Sequence, residues 1–188
     1  MPNLYIIAGC NGAGKTTASM TILPEILDCR EFVNADEIAR GLSPFQPEKV
    51  AFEAGRIMLN RMNHLLEEGE DFAFETTLSG RGYVNFIKKA QEYGYKTTLV
   101  FVWLKNVELA KQRVAERVKK GGHNIEVEVI ERRYKAGLKK FSELYMPISD
   151  EWFVFDNSEN YPISIAEGSK FEVLQIRNEK IWLKIKNI

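Results

Sequence analysis

The chain has 188 residues, 45% of them apolar and 28% charged, a size and balance suited to one domain with a well-buried core. Lysine plus arginine equals aspartate plus glutamate at 26 each, so no global field favours nucleic acid or a membrane surface. Two cysteines and two histidines are too few for a disulfide framework or a structural zinc site, and a reducing cytoplasm is the expected setting.

The first apolar run, Leu4–Ala8, predicts a strand, and Gly9-Cys10-Asn11-Gly12-Ala13-Gly14-Lys15-Thr16 follows it at once. A glycine-rich loop between a strand and a helix, ending in Lys-Thr, is the phosphate-binding P-loop in its proper context. Its backbone N–H groups can turn towards phosphate oxygens, and the helix starting near Lys15 adds its positive end. Lys15 can reach the β- and γ-phosphates of ATP, and the Thr16 hydroxyl can ligate Mg²⁺. The nucleotide-contacting candidates are Gly9, Asn11, Gly12, Ala13, Gly14, Lys15, Thr16 and Thr17. A dinucleotide loop needs G-x-G-x-x-G, a spacing absent here. The leading segment lacks a basic stretch before an apolar core, and no apolar run reaches membrane length.

A helix is expected over Lys15–Leu27, then a strand at Glu31–Asn34 running out into Asn34-Ala35-Asp36. Ligands of open parallel sheets gather at the carboxyl ends of strands, so Asp36 is a candidate general base for an acceptor hydroxyl. Spacing alone equally allows Asp36 to cap a helix over Glu37–Arg40. A long helix is expected over Pro47–Glu68, with Gly69 just past its end. The third strand, Phe72–Glu75, leads into Glu75-Thr76-Thr77 and Ser79-Gly80-Arg81-Gly82. With Asn34, the residues Glu75, Thr76 and Arg81 are candidates for substrate contact, and Glu75 also for a metal-bound water.

Helix Gly82–Tyr93, strand Thr97–Trp103 and paired helices Asn106–Lys120 and Glu126–Tyr145 follow, the pair separated by Gly121-Gly122-His123-Asn124. From Lys105 to Lys140 eleven basic residues face five acidic ones, a net +6. A basic helical hairpin can cover a triphosphate, its arginines neutralising charge on the transferring group. Arg113 and Arg117 share one flank, Arg133 borders the apolar stripe, and Arg132 points nearly opposite. Gly137 is expected to leave ligand space beside Arg133, whereas Lys119, Lys120, Lys139 and Lys140 read as surface lysines. A fifth strand, Trp152–Phe155, ends in Asp156-Asn157-Ser158, a turn expected to border the nucleotide base. Phe171–Ile176 and Lys180–Ile185 read as a C-terminal hairpin.

The P-loop, Asn34-Ala35-Asp36 and Phe74-Glu75-Thr76-Thr77-Leu78, in this order, resemble the zeta-toxin-like family of small P-loop kinases. Arg113–Arg117, Gly121-Gly122-His123, Ile130-x-Arg132-Arg133-Tyr134 and Asp156-Asn157-Ser158 resemble its ATPase-like branch. The order of strands and helices reads as an α/β P-loop fold with a five-stranded, mainly parallel sheet flanked by helices, a helical lid and an appended hairpin. The resemblance spans about residues 4–158, leaves the hairpin outside, and implies a nucleoside-monophosphate-kinase-like fold. Together these readings put the kinase domain at 1–158, with the lid at about 105–145, and the hairpin extension of the same domain at 159–188. The resemblance further implies ATP-dependent phosphorylation of a small-molecule hydroxyl, a UDP-activated amino sugar in well-described members, and an antitoxin-like protein partner. In that scheme Asp36 is the base, Lys15 and Thr16 hold phosphate and Mg²⁺, Glu75 contacts substrate or metal, and the lid arginines come from Arg117, Arg132 and Arg133. Two other readings compete: a regulatory ATPase that binds a protein, and a polynucleotide 5′-hydroxyl kinase, which the zero net charge disfavours.

Overall fold

A computed structural model describes residues 1–122 and 124–186 of the chain. Five strands alternate with helices: β1 (Asn3–Ala8), α1 (Lys15–Glu25), β2 (Glu31–Val33), α2 (Ala35–Leu42), α3 (Ala51–Glu68), β3 (Phe72–Thr76), α4 (Val84–Glu92), β4 (Lys96–Trp103), α5 (Val107–Lys119), α6 (Val127–Lys140) and β5 (Glu151–Asp156). These five pair in parallel in the order β2-β3-β1-β4-β5, so β1 and its P-loop sit at the centre of the parallel array. Parallel pairing brings all five carboxyl ends to one edge, where polar loops can converge without breaking the core.

Side-chain alternation divides the core. Leu4, Ile6, Phe72, Phe74, Leu99 and Phe101 meet Met58, Met62 and Leu65 of α3, Ile87 of α4 and Phe141 on one face. Tyr5, Ile7, Ala73 and Val100 face the other way, against Leu23 of α1. A third cluster joins Cys10 and Ala13 of the P-loop to Ala110 and Val114 of α5 and Ile130 of α6. The paired helices are thereby packed onto the P-loop itself.

Element ends follow their chemistry. Gly69 closes α3 at φ 73°, a left-handed cap that most side chains resist. The expected helix from Pro47 begins as a 3₁₀ turn, Pro47–Val50, before α3. The second helix of the pair runs only to Lys140 and then widens into a π turn, Phe141–Tyr145, which seats the Phe141 and Tyr145 rings in the core.

The C-terminal expectation is corrected. The hairpin comprises β6 (Ile163–Ser169) and β7 (Val173–Ile176), and it extends the sheet antiparallel from β5 to give seven strands. The segment expected as a second hairpin strand, 180–185, is helical in α7 (Glu179–Lys186). Ile181, Leu183 and Ile185 alternate like a strand, but the buried pair is Trp182 and Ile185, three apart. Asn178 caps this helix, its Oδ1 accepting Ile181 N–H at 3.1 Å. Trp182 stacks on Trp152 at 5.3 Å and 3° between planes. Among the described residues, no helix is long and apolar enough to cross a membrane.

Candidate active site

The P-loop glycines Gly9, Gly12 and Gly14 hold φ of 147°, 79° and 84°, conformations that side chains rarely adopt. Behind the loop, Lys15 is 5% exposed; its Nζ donates to the Cys10 carbonyl at 3.0 Å and pairs with Glu75 Oε1 at 3.3 Å. The other Glu75 oxygen accepts from Thr16 Oγ1 at 2.6 Å and from Asn34 Nδ2 at 2.9 Å. Glu75 thus ties together the loops after β1, β2 and β3. Burial pushes the Cys10 thiol up to about 11, against the pull of Lys15, so it stays protonated at neutral pH.

Thr16 suits Mg²⁺. Its hydroxyl gives its proton to Glu75 and keeps lone pairs for a cation, while Glu75 is placed to accept from metal-bound water. No cluster of three or more His, Cys, Asp or Glu capable of holding a metal occurs among the described residues.

The two readings of Asp36 separate here. Asn34 is the cap of α2, its Oδ1 accepting N–H of Asp36 at 2.9 Å and of Glu37 at 3.4 Å. The alternative in which Asp36 caps a helix over Glu37–Arg40 is therefore corrected: asparagine caps as well as aspartate and comes first in the chain. The exposed Asp36 carboxylate makes no hydrogen bond to a described residue and lines a cavity of about 520 Å³ with Lys15, Glu75 and Arg133. β3 lies between β1 and β2, so the first turn of α2 with Asp36 stands about two strand spacings, ~10 Å, from the P-loop. A phosphoryl group and an acceptor oxygen fit across that gap.

Arg133 reaches the same cavity, its Nη1 donating to Asn11 Oδ1 at 3.3 Å. Burial lowers its pKa and the Asp36 charge opposes this; a guanidinium remains charged at neutral pH regardless. Arg117 lies near the end of α5, tucked where a Cβ on Gly122 would come within 2.5 Å of its Cγ, and it does not line the cavity. Arg132 is exposed and Arg81 sits on an exposed loop, and neither lines the cavity. Thr76 lines the cavity, but its hydroxyl accepts Leu78 N–H at 3.1 Å and its carbonyl accepts Gly9 N–H at 3.2 Å. Thr17 is exposed, and His123 lies outside the described residues.

Two expectations for the second helix, those for Gly137 and Lys140, are corrected. Gly137 leaves no ligand space: a Cβ there would meet the Thr77 carbonyl at 2.5 Å, so this glycine lets α6 press against the loop after β3. Lys140 is no ordinary surface lysine, since its Nζ donates to the Ser79 carbonyl at 2.8 Å. Tyr145 is core, yet its hydroxyl donates to the Gly80 carbonyl at 2.8 Å. These contacts fix a loop in which Leu78 holds a left-handed φ of 52°, a strained state for a non-glycine residue. They also tie α6 down, so Arg133 stands on an anchored helix. The double variant Lys140→Met, Tyr145→Phe should raise the acceptor KM several-fold while leaving the ATP KM unchanged, as steady-state kinetics would read. Equal rises in both would detach this loop from the acceptor.

Sequence reasoning missed the cavity's far wall. Phe52, Gly55, Arg56 and Leu59 of α3, with Tyr83, line it. The available signal was Phe52 and Gly55 close together inside one predicted helix; in the structure Phe52 is 83% exposed. Asn157, expected to border the nucleotide base, donates from its Nδ2 to the Ala13 carbonyl at 2.8 Å.

Comparison with known proteins bears on this site. The zeta toxin family model matches residues 1–161. A Haemophilus influenzae protein described as uncharacterized is 29% identical over 126 residues, covering 67% of this chain and 88% of its own length. A chain of the AvrRxo1-ORF1:AvrRxo1-ORF2 complex with sulphate ions superposes with a TM-score of 0.77 at 18% identity, covering 99% of this chain. This chain spans 64% of that one's length. The PezAT toxin–antitoxin system of Streptococcus pneumoniae gives a TM-score of 0.69 at 14% identity, covering 97% of this chain and 78% of the other. At such identities the structural matches establish the fold alone.

Proposed function

The chain belongs to the zeta toxin family, and from that premise we propose that it is an ATP-dependent kinase that transfers the γ-phosphoryl group to the hydroxyl of a small molecule. The observation that carries this reading is the cavity joining Lys15 and Glu75 to an uncommitted carboxylate, Asp36. ATP binds with its phosphates on the P-loop, and Lys15 exchanges its contacts with Cys10 and Glu75 for the β- and γ-phosphate oxygens. Thr16 is the residue that would hold Mg²⁺, whose charge would offset that of the phosphoryl oxygens. The acceptor enters the 520 Å³ cavity, where Asp36 orients its hydroxyl and takes the proton late in a loose transition state. Arg133 supplies positive charge from the opposite side. Arg117, one turn after Arg113 on the face of α5 that approaches the P-loop, adds its charge at longer range. The acceptor class implied by family resemblance, a UDP-activated amino sugar, heads the candidates, and an antitoxin-like protein is the expected partner.

Arg117→Ala and Arg133→Ala should each lower kcat more than they weaken ATP binding, because their charge matters most in the transition state. Steady-state kinetics beside direct ATP titration would separate the two. If both variants merely raise the ATP KM, the arginines are ground-state ligands. The acceptor itself is sought by incubating the protein and ATP with hydroxyl-bearing metabolites, UDP-sugars and nucleosides included, and reading phosphorylation by mass. ATP consumption without any phosphorylated product would favour the regulatory ATPase.

A further inference from the structure

Arg113 carries no role in the scheme above, yet its guanidinium gathers three consecutive carbonyls. Nη1 donates to Asn157 O at 2.7 Å, and Nη2 to Ser158 O at 3.3 Å and Glu159 O at 3.5 Å. The same turn is held from below: Asn157 N–H donates to the Trp103 carbonyl at 3.0 Å, and Ser158 Oγ accepts Lys105 N–H at 2.8 Å. From it the Asn157 carboxamide reaches forward to the Ala13 carbonyl. The fit there is close: a Cβ on Gly14 would lie 2.5 Å from Asn157 Nδ2. On the other side of the loop, a Cβ on Gly12 would stand 2.7 Å from Ala110 O and 3.3 Å from Arg113 Cβ.

We propose that Arg113 is a positioning residue that sets the shape of the P-loop through Asn157. The proposal rests on the reading of that loop as the ATP site. Three carbonyls converging on one side of a turn repel one another, and a planar cation with several donors in a fixed fork satisfies them together. So held, the turn presents the Asn157 amide to Ala13 O. With that carbonyl engaged away from the cleft, the N–H groups of the loop are left to face the phosphates. A lysine offers one point charge and cannot span the three acceptors.

The test is MgATP affinity, measured by titration on the full chain. Arg113→Ala should weaken MgATP binding about tenfold to a hundredfold, the scale of a lost charge-assisted hydrogen bond. It should leave kcat at saturating ATP within a few-fold, and Arg113→Lys should restore little. Asn157→Ala should give a similar loss, and the double variant should be no worse than either single one, because both remove the same link. Hydrogen exchange should quicken in residues 9–16 without a matching change in β5 or the rest of α5. Additive losses would make Arg113 a direct nucleotide ligand and overturn the proposal. Unchanged affinity in Arg113→Ala would overturn it too, as would exchange raised evenly across the domain. If Arg113→Ala fails to fold, the Arg113→Lys and Asn157→Ala cycle gives the same decision. Failure of the parent chain to bind MgATP would remove the nucleotide reading itself, and the proposal with it.

Discussion

Asp36→Asn should lower phosphoryl transfer by roughly a hundredfold to ten-thousandfold, the range for losing a positioned general base. The melting temperature should stay nearly unchanged. Asn34, and not Asp36, caps α2, so the exchange removes no cap. The exposed Asp36 carboxylate bonds no described residue, so no partner is orphaned. ATP affinity should also persist, since the P-loop and the first turn of α2 follow different strands with β3 between them. Loss of Arg133's nearest named counter-charge is the one side effect, and it acts on a group that keeps its contact with Asn11. Turnover within a few-fold of the parent would reduce Asp36 to a cavity-wall residue. The base role would not then pass easily to Glu75, whose two oxygens already serve Lys15, Thr16 and Asn34.

Lys15→Ala should lower turnover by roughly a hundredfold to a thousandfold, the scale of removing a preorganised donor to developing charge. Lys15 is nearly buried and paired, so a structural cost accompanies the chemical one. That cost is small because Glu75 keeps hydrogen bonds from Thr16 and Asn34 and is not left as a bare charge. A fall of a few degrees in melting temperature is expected, with circular dichroism of the folded chain unaltered. Unchanged transfer in this variant would remove the P-loop from the chemistry.

The parallel core was legible because each of its signals is local. An apolar run before Gly9, the glycine-rich loop itself and a cap at Gly69 each report on a few neighbouring residues. What stayed hidden depends on contacts across the fold. Lys140 looks like any charged residue on a helix until α6 is laid against the loop holding Ser79. Gly137 signals small size, and only the packing tells whether a ligand or the Thr77 backbone fills the space. At Asn34-Ala35-Asp36 two good caps stand side by side, so propensity alone could not choose between them. The C-terminal helix was obscured by alternating Ile181, Leu183 and Ile185, whose strand-like period was overridden by Trp182 finding Trp152. Arg113 belonged to a basic stretch whose members differ only in what they meet.

The destination of the γ-phosphoryl group tests the central claim most directly. The parent chain and Asp36→Asn are incubated in ¹⁸O-enriched water with MgATP and the metabolite mixture, and both phosphorylated metabolites and inorganic phosphate are read by mass. The parent should place phosphoryl on a metabolite hydroxyl with no ¹⁸O incorporated, and Asp36→Asn should lose that product while still binding ATP. Release of ¹⁸O-labelled inorganic phosphate as the sole product, at equal rates in both proteins, would make water the acceptor and contradict the kinase reading.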